Sequence, residues 1–342
     1  MSATGGGFRF IKVCEDDDGQ RLDRWLKKNA PDLPYVLAQK FLRKGMIRID
    51  GKRAKPDRKL IQGQEVKIPP FETSGPRSDK FDTKKKISDE DIVFMRSLIL
   101  YEDEDVIALN KPARIASQGG TKVRRHIDGL LPALTNEKGV VPRLVHRLDK
   151  DTSGVMLLAR SSKVAKALGN SFKGRNIKKI YWALLSPVPE VHSGKINAPL
   201  IKAGGVNREK MTVDEEEGKY AVTEFSVLER AGEAAAFVAF WPRTGRTHQI
   251  RIHAQTMGSS VLGDHKYRHI KDPESKKPEA DFSDIDMEDR LHLHARRIIL
   301  PHPTKTGKTL DITAPLSPEL VKSWKAFGFN HKDKSDPFDG MK

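Results

Sequence analysis

Residues Pro69–Asp91 (PPFETSGPRSDKFDTKKKISDED) carry almost no apolar side chains. Such a stretch cannot bury enough surface to offset the entropy of ordering it, and its Pro, Gly, Ser and Lys content reads as a linker. It divides the 342-residue chain into a small N-terminal segment, residues 20–69, and a body spanning 92–330. Residues 70–91 are then a flexible connection that lets the small unit move, and 331–342 a polar tail. A length of this order also favours two domains. With 37% hydrophobic and 32% charged residues, each part has a lean but adequate core. No apolar run approaches the roughly 20 residues that cross a bilayer. The acidic start (Glu15, Asp16, Asp17, Asp18) lacks the apolar stretch of a secretory signal. One cysteine, Cys14, excludes a disulfide framework and any Cys-based zinc site. The expectation is a cytoplasmic, monomeric protein without a membrane partner.

The net charge of +16 points to a polyanion, most simply nucleic acid. It is concentrated between Gln20 and Ile68, where 14 Lys and Arg face 5 Asp and Glu. Leu22, Trp25 and Leu26 follow helical spacing, so Arg21–Asn29 is expected to be a short helix. A second helix starts after Pro34, turns Leu37, Phe41 and Leu42 inward, and stops at Gly45. Ile47 and Ile49 alternate into Asp50-Gly51, a hairpin signal, and Glu65–Ile68 forms a last strand. Arg43, Lys44, Arg48, Lys52 and Arg53 gather near one helix end and the turn. They are either a solvated basic face or a phosphate-binding one.

The run from Gln20 to Pro69, with its RLD opening, its KGMIRIDG centre and its GQEV ending, resembles an S4 domain. The resemblance implies recognition of structured RNA through phosphate and shape, with Arg43, Lys44 and Arg48 as contacts.

The body alternates short apolar runs with turns. Strands are expected at Asp105–Leu109, Val155–Ala159, Lys179–Leu185, Val222–Leu228, Ala235–Trp241 and Arg297–Leu300, and helices at Ser162–Phe172 and Thr247–Met257. Many strands, few helices and no regular βαβ alternation predict an α+β fold with a mixed, mainly antiparallel sheet. Lys271–Asp289 holds eight acids against three lysines and reads as a surface insertion.

Ionisable residues gather in the middle of the chain. VHRLDKDTSG (Val145–Gly154) sets Asp149 ahead of a tight-turn sequence between two apolar strands. Asp149 and Asp151 could simply cap turn amides there, or Asp149 could be a reactive carboxylate on a rigid loop. GRTHQIRIH (Gly245–His253) offers two arginines. On a helix they lie about 140° apart, so they cannot serve one site equally. One could pair with a carboxylate and keep it ionised, as a nucleophile requires. Tyr181 in KIYWAL shares a strand face with Lys179 and Ala183, as a core ring or as a platform for an extruded base.

NKPA (110–113), HRLDKDTSG (146–154), KIYWAL (179–184), GRTHQIRIH (245–253), LGDHKY (262–267) and LHLHA (291–295) together resemble the RluA family of pseudouridine synthases. An S4 domain joined to such a body resembles the bacterial large-subunit rRNA branch. The resemblance implies that uridine is isomerised to pseudouridine in RNA, rRNA above all, without metal or cofactor. It implies Asp149 as catalytic aspartate, Tyr181 stacked on the target base and Arg246 paired with the aspartate. Arg147 would fill the gap left by the flipped base. His146, Lys111 and Arg251 are motif positions on the substrate side, with no specified role.

The chain has no Walker A, HExxH or dinucleotide fingerprint. His292, His294 and His302 lie close in sequence, but without cysteines or a clear third ligand they make a poor zinc site. The rival function is a non-catalytic RNA- or ribosome-binding protein that kept the fold; synthesis in tRNA or small-subunit rRNA is the alternative target.

Overall fold

The computed structural model describes residues 7–71, 87–120, 123, 125–174, 176–204, 210–268 and 282–341. The expected linker falls mostly on 72–86, outside the described residues. The chain divides into two compact units, 1–86 and 87–342.

In the first unit, strand β1 (Arg9–Lys12) leads to α1 (Leu22–Asn29) and α2 (Tyr35–Lys44), followed by β2 (Arg48–Ile49), β3 (Lys52–Arg53) and β4 (Glu65–Ile68). Leu22, Trp25 and Leu26 on α1, and Ala38, Phe41 and Leu42 on α2, bury against Ile47, Ile49, Val66 and Ile68. Gly45 ends α2 in the left-handed region at φ 67°, as expected of a helix-stopping glycine. Asp50 (φ 47°) and Gly51 (φ 75°) turn the β2–β3 hairpin with two left-handed residues, the type the strand twist favours. The sheet has four strands in the order β1-β4-β2-β3. The sequence reading missed β1, whose four residues alternate half-buried and exposed and lack strong apolar periodicity. Arg43, Lys44 and Arg48 are exposed.

In the second unit, α3 (Asp89–Ser97) begins inside the stretch assigned to the linker. Ser88 caps it by accepting the Asp91 N–H, and three acids sit in its first turn. Strands β5 (Ile99–Glu102) and β6 (Val106–Lys111), a single turn α4 (Ile127–Leu130) and strand β7 (Arg143–Leu144) follow. Next come β8 (Ser153–Ala159), α5 (Ser162–Lys173), β9 (Lys178–Ser186) and β10 (Ser193–Asn197). A small ribbon, β11 (Leu200–Lys202) with β12 (Met211–Val213), precedes β13 (Val222–Ala231) and β14 (Ala235–Pro242). The remaining elements are α6 (Gln249–Thr256), β15 (Ser260–Val261), β16 (Leu293–Pro301), β17 (Thr309–Thr313) and α7 (Pro318–Ala326).

The main sheet runs β10-β13-β14-β9-β16-β8-β6-β5, with β15 on β9, β17 on β16 and β7 on β8. Both faces are covered. Ile107, Leu109, Met156 and Leu158 bury towards α3 and α4, while Val106, Ala108, Val155 and Leu157 bury towards α5. On the other half, Ala183, Val238 and Phe240 face α6, and Trp182, Phe237 and Trp241 face α7. Two buried faces explain why these strands read as continuous apolar runs rather than alternating ones. The fold is therefore a mixed, sheet-dominated one. Among the described residues, no helix is long and apolar enough to cross a membrane.

Two of the expected polar segments are tied to the body. In the tail, Phe338 is 1% exposed and Lys178 donates its ammonium to the Asp336 carboxylate and the Phe338 carbonyl. The acidic insertion is partly anchored: Phe282 meets Phe327 edge-on, and Phe282 and Met287 both pack beside α7. Its residues 269–281 lie outside the described ones.

Candidate active site

Among the described residues, the one parallel strand pairing in the sheet joins β8 to β16, with His294 opposite Ser153 and Ala295 opposite Gly154. Gly154 has φ 114°, and a Cβ there would lie 2.2 Å from the Ala295 carbonyl oxygen. Only glycine fits, which accounts for the DTSG sequence. The loop between β7 and β8 is thereby held rigidly against β16. The Thr152 N–H donates to the Asp149 carbonyl (3.2 Å), closing the tight turn that presents Asp149.

Asp149 opens into a cleft of ≈ 120 Å³ lined by Arg147, Lys179, Tyr181, Arg246, His248 and Arg251 among others. That is the scale of one planar ring, since a cavity of about 150 Å³ holds a benzene. The cleft lies where the cores under α3 and α6 meet, since Tyr181 packs against both. The Asp149 side chain is 35% exposed, and its ionisable neighbour is the His248 ring, with Nε2 3.9 Å from Oδ2. Tyr181 stands on β9, half-buried, and lines the cleft. Burial, with a smaller contribution from Asp149, pushes its phenol above the ordinary value, so it stays neutral. A neutral phenol keeps its O–H as a donor beside the ring. Lys179, two residues back, is pushed down to about 8 by burial.

The arginines do not sit as expected. Helix α6 starts at Gln249, because His248 adopts the left-handed conformation (φ 55°, ψ 19°). Arg246 therefore precedes the helix. Its Nε–H donates to the Tyr220 carbonyl (3.0 Å), and it makes no ion pair with Asp149. Arg251 is the buried arginine, 5% exposed, held by Asp264 through Nε (2.6 Å) and Nη2 (2.5 Å). Asp264 and, more weakly, Asp149 raise its affinity for the proton against the cost of burial. The Asp149 field reaches Arg251 rather than producing a direct pair with Arg246.

Of three other expected substrate residues, Lys111 and His146 are structural and Arg147 faces the cleft. Lys111 is completely buried, and its ammonium donates to the Pro112, Ile115 and Lys150 carbonyls at 2.8, 2.9 and 3.3 Å. It cannot touch RNA; it ties the start of the NKPA loop to the Asp149 loop. His146 accepts the Leu157 N–H on Nε2 (2.8 Å) and stacks on Phe172 at 4.3 Å. Burial pushes it down to about 3, with Lys179 adding to this, so it is a neutral strut. Arg147 is exposed and lines the cleft, as an intercalating side chain needs. The three histidines weighed for zinc each have separate partners: Ser323 for His292, Ser153 for His294 and Asp103 for His302. Among the described residues no cluster could hold a metal ion.

Sequence reasoning assigned no part to His248, Asp264 or Tyr267. The latter two lie in LGDHKY, whose pairing with GRTHQIR across a hairpin of loops is invisible in one sequence.

A carboxylate on a tight turn and a neutral tyrosine thus line one cleft on the scale of a planar ring, edged by arginines. The model of the RNA pseudouridylate synthase family matches residues 105–256. A ribosomal large subunit pseudouridine synthase C from Pasteurella multocida is 36% identical over 315 residues, covering 92% of either chain. The protein of the same description from Escherichia coli is 33% identical over 322 residues, 94% of this chain and 97% of that one. Among solved structures, human RNA Pseudouridylate Synthase Domain Containing 4 aligns with a TM-score of 0.57 and 28% identity. It covers 70% of this chain and 97% of that one. The chain belongs to the RNA pseudouridylate synthase family. It is an isomerase that converts uridine to pseudouridine in RNA.

Proposed function

We propose that the enzyme modifies uridine in large-subunit ribosomal RNA, with Asp149 as the acting carboxylate. The N1–C1′ bond breaks, the uracil turns while held, C5 bonds to C1′, and the C5 proton leaves as N1 gains one. Asp149 either attacks the sugar or takes a proton from it. Both routes need what the loop supplies: a carboxylate without a short hydrogen bond, facing Tyr181 in one cleft. That juxtaposition carries the reading. Tyr181 supports the turning base, and Arg147 offsets part of the unstacking cost of a few kcal/mol by entering the stack. The rRNA target follows the names of the relatives.

The first unit serves as an S4-like clamp on structured RNA. Its exposed Arg43, Lys44 and Arg48 support this, because they border a helix end and a hairpin rather than pairing with acids. To test the target, unmodified large-subunit rRNA, small-subunit rRNA and tRNA are each incubated with the enzyme and their pseudouridine measured. Formation in the large-subunit RNA alone is expected; formation only in tRNA or small-subunit RNA contradicts the assignment.

A further inference from the structure

His248 is the one left-handed non-glycine residue lining the cleft. The next residue, Gln249, is clamped: its carboxamide oxygen accepts from Thr244 Oγ1 (2.7 Å) and the Arg246 N–H (3.0 Å). The Gln249 amide donates to the Val222 carbonyl and to Thr223 Oγ1, both at 2.9 Å. The His248 ring lies between two residues, Asp149 and Tyr267. Strain held by surrounding structure at a site is a reason to look for function.

The hydrogen bonds determine the tautomer. Tyr267 is 4% exposed, and its oxygen accepts the Met211 N–H at 2.9 Å. Among the described residues its own proton has one polar partner, His248 Nδ1, at 2.7 Å. With Nδ1 accepting, the imidazole proton is on Nε2, 3.9 Å from Asp149 Oδ2, longer than a hydrogen bond and of the kind that closes only in the substrate complex. We propose that His248 is a positioning residue for Asp149: a neutral Nε2–H donor, its tautomer fixed by Tyr267, that takes up one carboxylate oxygen when substrate enters and leaves the other for the sugar. The inference rests on Asp149 being the acting carboxylate.

A neutral donor orients the carboxylate without cancelling its charge, whereas an imidazolium would pair with it and blunt it. The surroundings keep the ring neutral. Burial lowers its proton affinity and Arg251 and Lys266 lower it further, against opposition from Asp149 and Asp264. The Tyr267 donor adds to this, because protonating Nδ1 would leave the phenol proton without an acceptor.

The test is the single-turnover rate of pseudouridine formation against pH, on large-subunit rRNA transcribed in vitro, with RNA affinity measured alongside. In Tyr267→Phe the ring can protonate on Nδ1. Its rate should stay within about threefold of wild type at pH 8 and fall about tenfold at pH 6, with affinity unchanged. His248→Asn tolerates the left-handed backbone but offers no Nε2 donor. It should lose about tenfold at every pH. A wild-type pH profile in Tyr267→Phe, or a pH-independent loss in it, overturns the proposal. So does an unchanged rate in His248→Asn. Asp149→Asn is run beside them. Full activity in it removes the underlying reading, while an inactive Asp149→Asn with wild-type Tyr267→Phe and His248→Asn rejects the positioning role alone.

Discussion

Arg251 and Asp264 are joined by two hydrogen bonds of 2.6 and 2.5 Å beneath the cleft, both side chains nearly sealed from solvent. Asp264 also accepts the Lys266 and Tyr267 N–H groups, so one carboxylate fixes both the arginine and the loop that carries Tyr267. Arg251 in turn lies 4.9 Å from the centre of the Tyr267 ring. The cleft is therefore shaped by a buried ion pair that touches its wall, while Arg246 stays at its exposed rim.

This arrangement separates the two arginines experimentally. Asp264→Asn leaves the Arg251 charge buried without its counter-ion and should cost about 3–5 kcal/mol of unfolding free energy. Arg246→Gln loses one exposed contact to a carbonyl and should stay within about 0.5 kcal/mol of wild type. Urea unfolding of the full chain, followed by tryptophan fluorescence, compares them.

Lys111 gives a pH signature. Burial pushes it down to about 7, with Asp151 and Asp149 opposing this. Between pH 7 and 10.5 the unfolded chain holds a proton that the folded chain has released, so stability should rise with pH across that window. As pH falls through about 7 the contribution is lost. The slope is at most about 1.4 kcal/mol per pH unit, since three carbonyls support the charged form. Lys111→Met should flatten it, read from urea midpoints at pH 7.0 and 9.5.

The helical spacing of Leu22, Trp25 and Leu26, the Asp50-Gly51 turn and the sheet strands of the second unit were legible because each element buries what its period presents. The cleft was only half legible. Asp149, Tyr181 and Arg147 stand on segments whose local pattern already marks a turn or a strand. The fates of Arg246, Arg251 and Lys111 depend on partners far along the chain, such as Tyr220, Asp264 and Lys150. The helix starts at Gln249, two residues later than expected, and Arg251 rather than Arg246 is the buried arginine. Local periodicity carries no information about such distant partners.

In the first unit, reversing charge at Arg43 and Lys44 should weaken binding to large-subunit rRNA. If each neutralises one phosphate, the slope of log K against log salt should shrink by up to about 2. Both residues are exposed, so the folded state should be unaffected. Binding curves at several salt concentrations check the slope, and circular dichroism checks the fold.

The most direct measurement is pseudouridine formation by Asp149→Asn on large-subunit rRNA, with binding of the same RNA measured in parallel. Asn keeps the size of the side chain and removes the charge in a loop held by Gly154 and Thr152. The expected result is unaltered affinity with no pseudouridine formed at enzyme excess. Conversion at the wild-type rate would contradict the assignment of the chemistry to Asp149.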